Sequence, residues 1–313
     1  MRAILKFAAA LMIVSAPFPR AETPAAPRAE SPRFAATIPP VADILSQIAE
    51  GRAEVDPLLP AGASPHTHEP RPSDLRKVEK ALALFYVDER LDGWATSLPV
   101  ERRIRILSLL PDSLLREFPG EDGSPGAGGD GSSERTGPGA HDHGIGTDPH
   151  FWTDPLAVRA IVPRLAEMLI EADPGGAGVY LANALSLEAR LDSLHLEIER
   201  RIAPVRGRSV LLSHPFLCYY LRRYGIPLAG VIEVVEGREP TAKDLARTIR
   251  LAPDRGASAI LVLPQLSRRA ADLVAESTGL PVRVVDPLGG AARRETYDEL
   301  LLAITEGVVG EDR

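Results

Sequence analysis

Two hydrophobic periods take turns along the chain. FAATI (34–38) reads as a strand, residues 41–49 place apolar side chains at 41, 44, 45 and 48 on one helical face, and VDPLLP (55–60) reads as a strand again. A short helix then starts at Ser73 or Asp74 and runs through Val78. ALALFYV (81–87) follows as a strand, 91–98 as a helix and RIRILSL (103–109) as another strand. The second half repeats the scheme. RSVLLS (208–213), IPLAGVI (226–232), SAILVL (258–263) and PVRVVD (281–286) are strands, with helices predicted over 215–224, 241–251, 268–277 and from 294 onward. Strands that alternate with helices predict an α/β protein with mainly parallel sheets, here in two βα lobes. In such sheets ligands gather outside the carboxyl ends of the strands.

Between the halves the period lengthens. Asp154 and Pro155 read as N-cap and first-turn proline of a helix reaching 172. After Pro174-Gly175-Gly176, the pattern over 179–203 places Ala184, Leu187, Leu191, Leu194, Ile198 and Ile202 three or four residues apart. A helix of that size spans roughly 35 Å. It is expected to be a rigid linker (176–204) between an N-terminal lobe (33–174) and a C-terminal lobe (205–313). His195 sits beside the stripe and reads as a half-exposed helix residue.

Composition adds limits to this picture. The chain has 313 residues, 44% of them hydrophobic, enough for a substantial core and two ordinary domains. A net charge of −7 without a basic stripe argues against a nucleic-acid partner and mildly favours a cationic ligand. Arg2 and Lys6 precede the short apolar run AALMIVSAP, the make-up of a signal peptide over 1–21, with cleavage after Ala16, Ala21 or Ala29. That run is too short to span a bilayer. The single cysteine, Cys218, allows no intramolecular disulfide, and no cysteine follows the apolar run to take a lipid anchor. A soluble, monomeric, periplasmic protein is the expectation. Low-complexity sequence over 119–146 is read as a disordered loop.

The candidate chemistry lies in four loops. His150 stands in DPHFWTDP (148–155), His66 and His68 in ASPHTHEP (63–70), His214 in LLSHPF (211–216) and Asp286 in VVDPLGG (284–290). In each loop an imidazole or carboxylate adjoins a proline, and three of the four loops follow an apolar, β-like run. Neutral ring nitrogens and a carboxylate oxygen are the ligand set of tetrahedral zinc. Proline stiffens each loop, so less entropy is lost when a metal draws its ligand in. A zinc hydrolase would use similar ligands, with Glu69, Glu233 or Glu239 as general base. The chain has no His-Glu-x-x-His motif, however, and four protein ligands leave no position for a metal-activated water. A periplasmic zinc buffer is a third reading.

With LLPAGASPHTHEPRPSDL (58–75), DPHFWTDP, HPFLCYYLRRYGIP (214–227), GREPTAKDLARTI (237–249) and VVDPLGG in the same order and spacing, the chain resembles the substrate-binding proteins of metal-importing ABC transporters, specifically the periplasmic zinc-binding (ZnuA/TroA-like) family. The resemblance implies no enzyme activity. It implies two βα lobes joined by a long rigid helix, and one Zn2+ held between them for delivery to an ABC permease at the inner membrane. It matches His66, His150, His214 and Asp286 to the family's ligands, with a water or Glu233 as alternatives to Asp286. His68 stands where the family commonly has an aromatic residue and is kept as an auxiliary ligand. The family's histidine-rich loop corresponds to 119–146, where His141 and His143 form a weak auxiliary site. A manganese-binding homologue is the alternative within the family.

Overall fold

The computed structural model describes residues 31–119, 146–233, 239–289 and 296–310. The predicted signal peptide and the loop residues His141 and His143 lie outside them. Four strands, β1 (Arg33–Ala36), β2 (Glu54–Pro57), β3 (Leu84–Tyr86) and β4 (Arg103–Arg105), form a parallel sheet in the order β2-β1-β3-β4. The second sheet repeats that order with β5 (Ser209–Leu212), β6 (Leu228–Val231), β7 (Ala257–Val262) and β8 (Val282–Val284), arranged β6-β5-β7-β8 and again all parallel.

The helices of the first lobe are α1 (Pro39–Ala49), α2 (Pro72–Val78) and α3 (Glu89–Asp92), followed by α4 (Pro155–Ala172) and α5 (Ala177–Ile202). The second lobe adds α6 (Cys218–Tyr224), α7 (Ala242–Asp254), α8 (Arg269–Thr278) and α9 (Tyr297–Val309). Caps explain several boundaries. Asp154 accepts from the Leu156 amide at the head of α4, and Thr241 and Asp244 form a reciprocal capping box on α7. Gly225 ends α6 in the left-handed region, at φ 67°, where a side chain would be strained.

The long helix α5 buries Tyr180, Ala184, Leu187, Leu191, Leu194, Ile198 and Ile202, which contains the whole stripe expected from the periodicity. Helices α1, α4 and α9 pack against it, and one continuous apolar core runs through both lobes. At 26 residues it spans roughly 39 Å. Its partners therefore keep it from acting as a loose tether. Arg223 of α6 also grips Asp154 with two nitrogens at 2.7–2.9 Å, tying α6 to the head of α4.

Two expected elements are corrected. The helix over 91–98 is only the single turn of α3, followed by a 3-10 turn at Gly93–Ser97. Asp92 accounts for the break, because its carboxylate accepts from the Val87 and Asp88 amides and the Thr37 hydroxyl rather than lying on a helix face. The strand over 103–109 stops at Arg105 and turns into a 3-10 segment, Ile106–Leu109. Ile106 and Leu107 are buried side by side, which an alternating strand against one core face does not permit.

Candidate metal centre

His66, His150 and His214 come together from irregular segments outside the strands and α-helices. His66 lies in the loop after β2, and His214 stands two residues past the end of β5. His150 immediately precedes a 3-10 turn, Phe151–Thr153, that leads into α4. Their ring centroids are 5.5 Å apart for His66 and His214, and 5.9 Å for each of the other two pairs. One nitrogen from each lies within 4.8 Å of the others.

Each imidazole is oriented through its Nδ1. That of His150 is 2.7 Å from Asp148 Oδ1, that of His66 is 3.2 Å from the Arg90 carbonyl, and that of His214 is 3.3 Å from the Glu233 carbonyl. Carbonyl and carboxylate oxygens only accept, so these contacts assign the proton to Nδ1 and a lone pair to Nε2 in the neutral rings. Such partners fix both ring orientation and tautomer at metal sites. Asp148 is fully buried and also accepts from the His150 amide at 2.9 Å. The contact thus closes a small ring that holds the side chain to its own backbone.

The His66 loop is anchored by Trp94, whose indole donates to the Pro65 carbonyl at 2.9 Å. The same ring packs edge-on against His68 with centroids 4.6 Å apart. His68 Nε2 lies 3.3 Å from Asp74 Oδ2, and its side chain is buried. His68 therefore packs with α2 and Trp94 and stands outside the triplet. Asp286, two residues past β8, also stands outside it among the described residues. Its Oδ1 accepts from Gln265 Nε2 at 2.9 Å and from the Leu288 amide at 3.0 Å. Glu69 and Glu239 are exposed, and the backbone carbonyl of Glu233 faces His214 Nδ1.

A cavity of about 20 Å³ lies among Pro65, the three histidines, Trp152 and Gln265. Its volume suits a single ion or water. Sequence reasoning passed over Gln265, Trp152 and the role of Asp148. Only Asp148 left a local signal, an acidic residue two positions before a histidine.

The family described as zinc-uptake complex component A, periplasmic (ZnuA), matches residues 35–309. The high-affinity zinc uptake system protein ZnuA of Paracoccus denitrificans is 29% identical over 93% of this chain and 94% of its own. The manganese-binding lipoprotein MntA of Halalkalibacterium halodurans is 26% identical over 83% and 81%. A crystal structure of ZnuA superposes with a TM-score of 0.71 at 25% identity, over 90% of this chain and 98% of that one. With the family match spanning both sheets and every loop of the histidine triplet, the chain belongs to the ZnuA family of periplasmic zinc-uptake components.

Proposed function

We propose that the protein captures Zn2+ in the periplasm and delivers it to the permease of an ABC importer at the inner membrane. His66, His150 and His214 hold the ion through Nε2. Asp286 supplies the fourth ligand from the loop after β8. The observation that carries this reading is the convergence of three imidazoles whose Nδ1 atoms all face acceptors. Zinc bonded to nitrogen at about 2.0–2.1 Å in a tetrahedron needs nitrogens about 3.4 Å apart. From a spread of at most 4.8 Å, small movements of the three loops suffice.

The name of the relative MntA keeps manganese in view as the cargo. Three imidazoles favour zinc, because manganese prefers oxygen ligands and stands lower in the affinity series. Hydrolysis is less well supported, since the described residues that line the cavity include no carboxylate to act as general base. The auxiliary pair His141 and His143 is retained only as a weak, separate site.

Titration of the metal-stripped protein with zinc tests the proposal. One tight ion per chain is expected, with strong loss in His66→Ala, His150→Ala and His214→Ala. Zinc-limited growth of cells lacking the protein, restored by the wild type and not by those variants, tests delivery. Tight binding without restoration would favour a buffer. Retained tight binding in all three variants would overturn the site.

A further inference from the structure

Gln265 lies three residues past the end of β7, in the loop beside the one that carries Asp286 out of β8. Its side chain lines the cavity formed by His66, His150 and His214. Nε2 donates to Asp286 Oδ1 at 2.9 Å, and the Leu288 amide donates to the same oxygen at 3.0 Å. A carboxylate oxygen accepts only, so the amide of Gln265 must turn its nitrogen towards Asp286. Its carbonyl Oε1 is then left buried and accepts no hydrogen bond among the described residues. Burying an amide oxygen without a donor is costly, and a glutamine that merely filled space would avoid it.

We propose that Gln265 is the positioning and selectivity residue of the centre, holding Asp286 Oδ1 so that the carboxylate meets the metal through one oxygen only. Two donors on Oδ1 oppose a bidentate carboxylate. Single-oxygen attachment beside three imidazoles gives four ligands, the number zinc prefers, whereas bidentate attachment raises the count towards that of manganese. Gln265 therefore acts on the ion through Asp286 and does not touch it. This rests on the proposed reading of Asp286 as fourth ligand.

The test compares wild type, Gln265→Met, Asp286→Ala and the double variant for zinc and manganese affinity and for the visible absorption of bound cobalt. Gln265→Met keeps the length of the side chain and removes both polar atoms. Removing the outer partner of a ligand typically costs about 10- to 100-fold in metal affinity. Zinc affinity should fall by that factor, manganese affinity should fall less, and the cobalt bands should weaken towards a higher coordination number. None of these changes should occur when Asp286 is already alanine. Gln265→Ala serves the same purpose if the methionine variant is poorly folded. Equal losses for both metals, or the same loss in the Asp286→Ala background, would overturn the proposal. Weakened zinc binding in Asp286→Ala with a silent Gln265→Met would overturn the role of Gln265 alone. A silent Asp286→Ala would overturn both this role and the fourth-ligand reading.

Discussion

The indole Nε1 of Trp152 donates to the carbonyl oxygen of Pro287 at 2.9 Å. This bond joins the loop before α4, which carries His150, to the loop after β8, which carries Asp286. The Trp152 ring also lies 5.3 Å from the His150 ring, and the Tyr297 hydroxyl donates to the Trp152 carbonyl at 2.6 Å. Side chains far apart in sequence thus hold these two loops in register.

Replacing Trp152 by phenylalanine keeps an aromatic ring beside His150 and deletes the bond to Pro287. The loss of one buried hydrogen bond is worth about 1 kcal/mol. Zinc should bind roughly fivefold more weakly, and the metal-free protein should melt somewhat lower. Competition with a chromophoric chelator and a thermal melt measure the two effects; no change in either would mean that the bond does not preorganise the loops.

Asp148 lies 2.7 Å from His150 Nδ1 and should matter to affinity without touching zinc. In Asp148→Asn an oxygen can still accept from the ring, but the negative charge is gone. The expected loss is near the lower end of the range of about 10- to 100-fold, with Asp148→Ala nearer the upper end. Two variants with equal and negligible losses would place the orientation of His150 elsewhere.

Zinc should stabilise the fold, because its proposed ligands come from both lobes. At free zinc a hundredfold above the dissociation constant the linkage is about 2.7 kcal/mol. His214→Ala should lose most of the resulting shift in melting temperature. His195→Ala should keep it, since His195 lies on α5 with its Nδ1 3.3 Å from the Tyr224 hydroxyl and has no place in the triplet. Equal shifts in the two variants would contradict the assignment.

Asp92 provides a pH signature unrelated to metal. Burial pushes its carboxyl up to about 6, against the lowering effect of donors from Thr37, Val87 and Asp88 and with help from the neighbouring Asp88 charge. A carboxyl raised in the folded state stabilises fully below its unfolded value of 3.8, and this contribution is lost as pH rises through about 6. The loss across that window is roughly 3 kcal/mol. The carboxyl-carbon resonance of Asp92 should titrate near pH 6, and Asp92→Ala should flatten that part of the stability profile. A midpoint near 4 would refute the burial argument.

Much of the architecture was legible in the chain because long elements average over many residues. The stripe from Ala184 to Ile202 repeats along the entire face of α5, and Asp154-Pro155 marks the head of α4 with both a cap and a fixed φ. The order of strands and helices likewise announced two parallel sheets, and proline-flanked loops marked His66, His150 and His214 as candidates. Packing decided what short-range pattern could not express. His66 and His68 are two residues apart in an irregular loop, where no period indicates which faces the cavity. Trp94 and Asp74 take up His68 and leave His66 with the other two imidazoles. The same holds for Ile106 and Leu107, whose adjacent burial bends an apparent strand into a 3-10 turn. Gln265 reaches Asp286 only because parallel pairing sets β7 beside β8 and brings their following loops together. Side-chain period is a property of the local backbone, whereas the environment of a loop side chain is set by elements distant in sequence. Only the tertiary structure, therefore, shows which of the candidate side chains converge and which groups orient them.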